Sequence, residues 1–389
     1  MIAPDPSKPV VALILNSKYP GGSELALVET ARGLHNLGYN LQIILPEDGP
    51  LTAYMKPYAT GLHFVNNNWW ASGKPIMSLL RRLWFIKGYY KAAEQMVKIF
   101  MAENVSIVLT NSVVIPTGAV AAKMAKLKHV WYLHEFGKED HGFEFWYGQK
   151  RSFKLINTLS DHCIANSDAV NNYFGEYVPA IKRSKIYYAI DMAKGMAPTA
   201  TQFAPKDRLD CIVTGRVAPG KGQLEAVMAI QQVRAKGINA YLNLQGTADE
   251  TYKNQILAYM ADHQLEPYIN FLPYNPDPHK AVREADIALV CSRLEAFGRV
   301  TVEAMKLGIP VVATATAGSL EIIGKDQTRG LLYNPGDMSA LADCIMQYNQ
   351  SPELRLRLAT EAYQWAWQHC NLDTHAQQID AILQKVAHN

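Results

Sequence analysis

The sequence predicts an α/β protein built from two doubly wound domains facing a central cleft. Short apolar runs rich in Val, Ile and Leu alternate with longer segments whose apolar residues recur at helical spacing, the pattern of parallel sheets covered by helices. That pattern occurs twice, on either side of MAKGMAPTATQFAPKDR (192–208), a stretch rich in Pro, Ala and Thr that lacks apolar periodicity and reads as a linker. At 389 residues, with 49% hydrophobic and 19% charged positions, the chain can bury two cores. Open parallel sheets bind ligands beyond the carboxyl ends of their strands, so two such domains of similar size place a ligand cleft between them.

In the first half, VVALILN (10–16), LQIILP (41–46), SIVLTN (106–111), HVWYLH (129–134) and HCIAN (162–166) read as strands. Between the first two, SELALVETARGLHNLG carries helical spacing and ends on Gly38. In the second half the strands are DCIVTGRV (210–217), AYLNLQG (240–246), INFLP (269–273), IALVCS (287–292) and PVVATA (310–315), with helices from Gln223, Thr251 and Arg299. Gly308 and Pro310 stop the last of these.

A formal charge of +3 is small for this length and gives no reason to expect a nucleic-acid partner. Five scattered cysteines with no CxxC pair and no metal-ligand spacing fit a reducing cytosol. The N-terminus reads as a first strand rather than a signal peptide, and no run reaches the roughly 18 apolar residues of a membrane span. One segment bears on location. Residues 76–100 interleave Arg81, Arg82, Lys87, Lys91 and Lys98 with Trp84, Phe85, Tyr89 and Tyr90. Such a helix fits an anionic membrane surface, and equally a helix packed on the sheet with its charges solvated.

The chemistry-bearing stretches leave predicted strand ends. RLEAFG follows IALVCS and opens a helix, so Glu295 lies in a loop above a sheet and Glu303 early in the next helix. Helix N-terminal amides attract an anion such as phosphate, and two carboxylates nearby accept hydrogen bonds from sugar hydroxyls. The combination suits a nucleotide sugar; alone, the pair also fits a solvated loop glutamate and a helix N-terminal charge. GRVAPGKGQ (215–223) likewise leaves a strand and opens a helix, with Arg216 and Lys221 among three glycines, which suits a diphosphate and also an ordinary tight turn. YPGGSEL (19–25) is a third such turn, without the spacing of a dinucleotide fingerprint or a P-loop.

GGSE near the start, His134-Glu135, GR followed by KG at 215–222 and EAFGRVTVEAMKLGIPVVAT at 295–314 resemble the GT4 family of GT-B glycosyltransferases, as do AGSLEII (317–323) and GLLYNPGD (330–337). The resemblance runs over nearly the whole chain. It implies two Rossmann-like domains: an acceptor-side domain of residues 1–191 joined by a C-terminal helix near 373–389, the 192–208 linker, and a donor-side domain of residues 209–372. It also implies sugar transfer from a nucleotide-diphosphate sugar with retention of configuration, to a glycan or lipid-linked acceptor in cell-surface glycan or polysaccharide synthesis, in the cytoplasm or on the inner face of the membrane. Glu295 would hold the donor sugar and Glu303 the ribose. Arg216 and Lys221 would hold the diphosphate, helped by Phe297, Gly298, Arg299, Val300 and the Gly21-Gly22 turn, and His134 would contact the sugar near the reacting carbon.

The chain departs from the family pattern at three places. YYAID (187–191) stands where N-G is common, Glu135 follows the histidine where Asp is usual, and Pro273 replaces a frequent glycine. No D-x-D element is present to carry a divalent cation, so no metal or cofactor is expected and Arg216, Lys221 and helix amides are left to neutralise the leaving group. A nucleotide-sugar epimerase and a non-catalytic nucleotide-sugar binder remain the other classes, separated by whether an acceptor is consumed. For His134 the alternative is a satisfied strand-end histidine in a core.

Overall fold

The computed structural model describes residues 3–73, 79–273, 275 and 277–388, with the side chains of 79–86 outside that set. The chain forms two compact units, Met1–Asp191 with Cys370–Asn389, and Met192–His369.

The first unit is built on seven parallel strands: β1 (Val11–Ile14), β2 (Leu41–Leu45), β3 (Gly61–Phe64), β5 (Ile107–Asn111), β6 (Lys128–Leu133), β8 (His162–Ala165) and β9 (Arg183–Lys185), in the order β3-β2-β1-β5-β6-β8-β9. Two further short strands, β4 (Ala71–Ser72) and β7 (Glu144–Phe145), pair antiparallel outside it. Every residue of β1, β2 and β5 is buried, as expected where helices cover both faces of a parallel sheet. The reading from sequence misses β3 and β9 for one reason: both are short edge strands, and GLHF and RSK carry no run of buried apolar residues.

The C-terminal helix Leu372–His388 buries Ala376, Ile379, Leu383 and Val386 in the first unit. It approaches the helix Gly22–Asn36 so closely at Gly33 that a Cβ there would stand 2.7 Å from the Ala376 methyl. Asp380 Oδ1 accepts from the Tyr39 hydroxyl at 2.6 Å and from Lys8 Nζ at 3.0 Å, and His375 Nδ1 donates to the Tyr187 carbonyl at 2.7 Å.

The second unit has six parallel strands: β10 (Leu209–Thr214), β11 (Ala240–Gln245), β12 (Ile269–Leu272), β13 (Ile287–Val290), β14 (Val311–Thr314) and β15 (Leu331–Tyr333), in the order β12-β11-β10-β13-β14-β15. Its core gathers Cys211, Val213, Ile230, Leu242, Ile256, Leu289, Val312 and Leu341. All five cysteines are free thiols.

Residues 192–208 pack on the second unit. The Tyr363 hydroxyl donates to Gly195 O at 2.9 Å, Arg355 Nη2 donates to Phe203 O at 3.0 Å, and the Phe203 ring is 1% exposed. The first unit ends at Asp191, as the sequence leads one to expect, while the 192–208 segment read as a linker falls within the second unit, and the chain returns to the first unit at Cys370 rather than 373. Single anchors such as Phe203 hold a segment whose composition shows no periodic apolar face.

Of the segment read over 76–100, residues 76–78 lie outside the described residues and the rest belongs to the helix Leu79–Ala102, in which Tyr89, Ala92, Ala93, Met96 and Phe100 are buried and Lys87, Tyr90, Lys91 and Lys98 are exposed. The side chains of Arg81, Arg82, Trp84 and Phe85 lie outside the described residues. Among the described residues no helix is long and apolar enough to cross a membrane.

If 192–208 belongs to the second unit's core, Phe203→Ala should destabilise that unit by about 3–5 kcal/mol, the usual cost of truncating a buried Phe. Denaturant unfolding followed by a probe in the second unit measures it.

Candidate functional site

Each sheet reverses its strand order once, between β1 and β5 in the first unit and between β10 and β13 in the second. At such a point the two connections leave in opposite directions and open a crevice above the carboxyl edge. The candidate residues of the second unit sit there.

Beyond β10, a one-turn 3-10 segment, Pro219–Lys221, and Gly222 lead into the helix Gln223–Ala235. Beyond β13, 291–298 lead into the helix Arg299–Lys306. The two loops touch, with Arg293 N donating to Gly220 O at 3.0 Å. Gly222, at φ +69, comes so near that a Cβ would stand 2.1 Å from Cys291 O. That contact brings Lys221 Nζ to 2.9 Å from Glu295 Oε2, joining two candidates far apart in sequence. Gly318 supports the loop from below: its amide donates to Glu295 O at 2.8 Å, and a Cβ there would meet the carbonyl oxygens of Ala296 and Phe297 at 2.6 Å.

Phe297, 2% exposed, pins the loop, and Gly298, at φ +96, caps the Arg299–Lys306 helix. Val300 and Arg299 lie in its first turn, half-buried. Glu303 is one turn further along, 14% exposed, its Oε1 accepting from Arg299 Nε at 2.9 Å and its Oε2 facing His279 Nε2 at 3.8 Å. Burial pushes its carboxyl up, but His279 and Arg299 together outweigh burial and hold it below the usual range. Arg216 is exposed, and its side chain makes no hydrogen bond among the described residues.

At the carboxyl edge of the first unit, His134 follows β6 and is 5% exposed, with Nδ1 2.6 Å from the Tyr188 hydroxyl and Nε2 2.6 Å from Asn111 Oδ1. Burial brings its pKa down to about 3, so the imidazole is neutral at physiological pH. Glu135 points the other way. Its Oε1 accepts from the Ser112 hydroxyl and from Val113 N at 3.1 Å, anchoring the turn after β5 in which Ser112 adopts φ +73. Burial raises the Glu135 pKa to about 8, with Asp140 and Glu24 adding to the rise. Gly21 caps the helix Gly22–Asn36, and Glu24 folds back on this turn, its Oε2 2.5 Å from where a Gly21 Cβ would stand. The structure thus sets a side-chain carboxyl, itself raised by burial, at the Gly21-Gly22 turn.

The reading from sequence misses His279, which stands before a one-turn helix, and the partners Asn16, Asn111, Asn166 and Tyr188. The asparagines carried a signal: three predicted strands, VVALILN, SIVLTN and HCIAN, end on Asn at the edge where ligands bind. Among the described residues no three of His, Cys, Asp and Glu group together as a metal site.

Two family models match the chain, Glycosyltransferase Family 4 over residues 20–194 and Glycosyl transferases group 1 over residues 200–365. The chain belongs to the GT4-type glycosyltransferases, and its fold is GT-B. It is 31% identical over 162 residues to the D-inositol 3-phosphate glycosyltransferase of Corynebacterium efficiens, covering 39% of this chain and 37% of that one. It is 25% identical over 141 residues to the capsular polysaccharide biosynthesis glycosyltransferase CapM of Staphylococcus aureus, covering 36% and 37%. The chain thus spans little more than a third of these relatives' length. Anabaena HepE, solved in complex with UDP-glucose, has the same fold, with a TM-score of 0.77 at 22% identity over 97% of this chain and 99% of that one.

Glu135 gives the first unit a defined pH response. A carboxyl whose pKa rises from 4.5 to about 8 on folding contributes stability that is intact below about pH 4.5 and is lost as pH rises through 8. Glu135→Gln, which keeps the shape and cannot ionise, should therefore gain on the wild type between pH 5 and pH 8, by about 4 kcal/mol at the upper end at roughly 1.4 kcal/mol per unit of pKa. Thermal melts of both proteins across that range are the measurement; parallel curves would contradict the assignment.

Proposed function

We propose that the protein is a retaining, metal-independent glycosyltransferase that moves a sugar from a nucleotide-diphosphate sugar to a hydroxyl of a glycan or lipid-linked acceptor, in cell-surface glycan or polysaccharide synthesis. The observation that carries the reading is the Lys221–Glu295 pair at the strand-order reversal, beside the N-terminus of the Arg299–Lys306 helix. An ammonium, a carboxylate and helix amides in one crevice match a ligand with a diphosphate next to a polyol. The UDP-glucose in HepE supports the same donor class.

In this reading the diphosphate takes Lys221 from Glu295, and Arg216 and the amides around 297–300 complete the anion's surroundings. Glu295, released, accepts hydrogen bonds from hydroxyls of the sugar. Glu303, kept ionised by His279 and Arg299, accepts from the ribose. His134 contacts the sugar near the reacting carbon. The acceptor oxygen bonds to the anomeric carbon on the face from which the phosphate oxygen departs. The carbon–phosphate oxygen bond breaks, and the acceptor's proton passes to that oxygen. Lys221, Arg216 and helix amides stabilise the charge that develops on the leaving group. The exposed Lys87, Tyr90, Lys91 and Lys98 of the Leu79–Ala102 helix support contact with an anionic membrane surface. Replacing the three lysines with Glu should then lower co-sedimentation with phosphatidylglycerol vesicles, and unchanged binding would remove that part of the proposal.

The test is a panel of nucleotide sugars incubated with and without candidate acceptors, in chelator. Transfer should need an acceptor, survive chelation and give a product with the donor's anomeric configuration by NMR; donor conversion without an acceptor would point to an epimerase instead. Site variants divide the roles. Arg216→Ala or Lys221→Ala should weaken UDP binding by about 1–3 kcal/mol, the range for a lost charge-assisted hydrogen bond. Glu303→Gln should weaken it too. Glu295→Gln frees Lys221 and should leave UDP affinity equal or higher while kcat/KM for the full donor falls. Calorimetry with UDP set beside transfer kinetics shows whether the two glutamates separate in this way.

A further inference from the structure

The carboxyl edge of the first sheet holds a buried chain of polar side chains. Asn166, just past β8, donates Nδ2 to the Tyr188 hydroxyl at 2.8 Å and to the His134 carbonyl at 2.9 Å. The Tyr188 hydroxyl reaches His134 Nδ1, and His134 Nε2 reaches Asn111 Oδ1, both at 2.6 Å. Asn111 Nδ2 continues to Asn16 Oδ1 at 3.4 Å and to Ser23 O at 3.5 Å. Asn16, Asn111, His134, Asn166 and Tyr188 are all buried.

Two backbone carbonyls set the direction of every bond in this chain. A carbonyl only accepts, so the His134 carbonyl fixes which end of the Asn166 amide is NH2, and Ser23 O does the same for Asn111. Asn111 therefore turns its oxygen to His134, and Nε2 must donate. A neutral imidazole has one proton, so Nδ1 is left as an acceptor. Tyr188 already accepts from Asn166, and its single hydroxyl hydrogen goes to that acceptor. Tyr188 is itself held firmly: the preceding carbonyl, Tyr187 O, accepts from His375 on the C-terminal helix. Tyr188 also lies within YYAID, where the chain departs from the family's usual N-G.

We propose that Tyr188 is a positioning residue for His134: its hydroxyl hydrogen bonds Nδ1 and, together with Asn111 Oδ1 at Nε2, holds in place the neutral imidazole protonated on Nε2, the form that presents a hydrogen-bond donor to the sugar being transferred. The second half of this statement rests on the reading of His134 as a sugar contact. Asn111 Oδ1 holds the Nε2 hydrogen in the free protein, and a sugar hydroxyl oxygen competes for it in the complex. The Phe variant of Tyr188 keeps the ring and removes only the hydroxyl.

The experiment combines 15N NMR of the imidazoles with transfer kinetics in wild type, Tyr188→Phe and His134→Gln, the last identifying the His134 signals by their loss. Wild type at neutral pH should show His134 protonated on Nε2 with a hydrogen-bonded Nδ1, and Tyr188→Phe should move the Nδ1 15N resonance toward that of an unbonded, unprotonated ring nitrogen. In Tyr188→Phe, kcat should fall by about ten- to a hundredfold, the cost of a misplaced catalytic contact, with the KM for donor little changed. A wild-type His134 protonated on Nδ1, or an unmoved Nδ1 resonance in Tyr188→Phe, overturns the proposal. Normal turnover in Tyr188→Phe also overturns it. If His134→Gln is then equally active the error lies in the sugar-contact reading, and if His134→Gln is crippled it lies in the positioning role.

Discussion

The reversal of strand order in each parallel sheet is the constraint on which the site arrangement depends. Strands β10 and β13 are neighbours in space, yet their following helices lie on opposite faces of the sheet, so the loops that leave them part above the carboxyl edge. Side chains at the start of those loops face one crevice whatever their separation in sequence. Lys221 and Glu295 meet for that reason. Glycines make the meeting tight: Gly222 has no room for a Cβ beside Cys291 O, and Gly318 has none beneath the carbonyls of Ala296 and Phe297.

The two sheet edges solve opposite electrostatic problems. In the second unit the charges are partly exposed and paired, Lys221 with Glu295 and Arg299 with Glu303. A pair of this kind, in contact with water, costs little to open, so an incoming anion can exchange with a carboxylate. In the first unit the polar groups are buried, and burial removes charge instead of pairing it. His134 is neutral, and Glu135 keeps its proton to about pH 8. Hydrogen-bond direction, rather than charge, then carries the information there, because each buried donor and acceptor must find its complement.

The departures from the family pattern become intelligible in this setting. Glu135, one methylene longer than the usual Asp, reaches the hydroxyl of Ser112 and the amide of Val113, and so ties the turn after β5 to the end of β6. Tyr188 spans from Asn166 to His134, so that the segment leading out of the first unit and the histidine share one hydrogen-bonded chain. Both substitutions bring in longer side chains at positions where the buried edge needs reach.

Much of the fold was legible in the sequence because buried parallel strands announce themselves as short apolar runs between helical periods, and the helix starts at Gln223 and Arg299 follow from glycine turns at strand ends. The motif residues of the second unit were legible as well, since they occupy the loops after those strands. Strands β3 and β9 were not, because an edge strand is specified by backbone hydrogen bonds to its neighbour and not by side-chain pattern. Nor was the packing of 192–208, which rests on isolated anchors such as Phe203. The sequence by itself determined which polar residues end each strand; the tertiary structure decided which of them touch. Only it turned Asn16, Asn111, His134, Asn166 and Tyr188 into one directed chain, because hydrogen bonds between side chains from different strands depend on the lateral order of those strands, which no local pattern encodes.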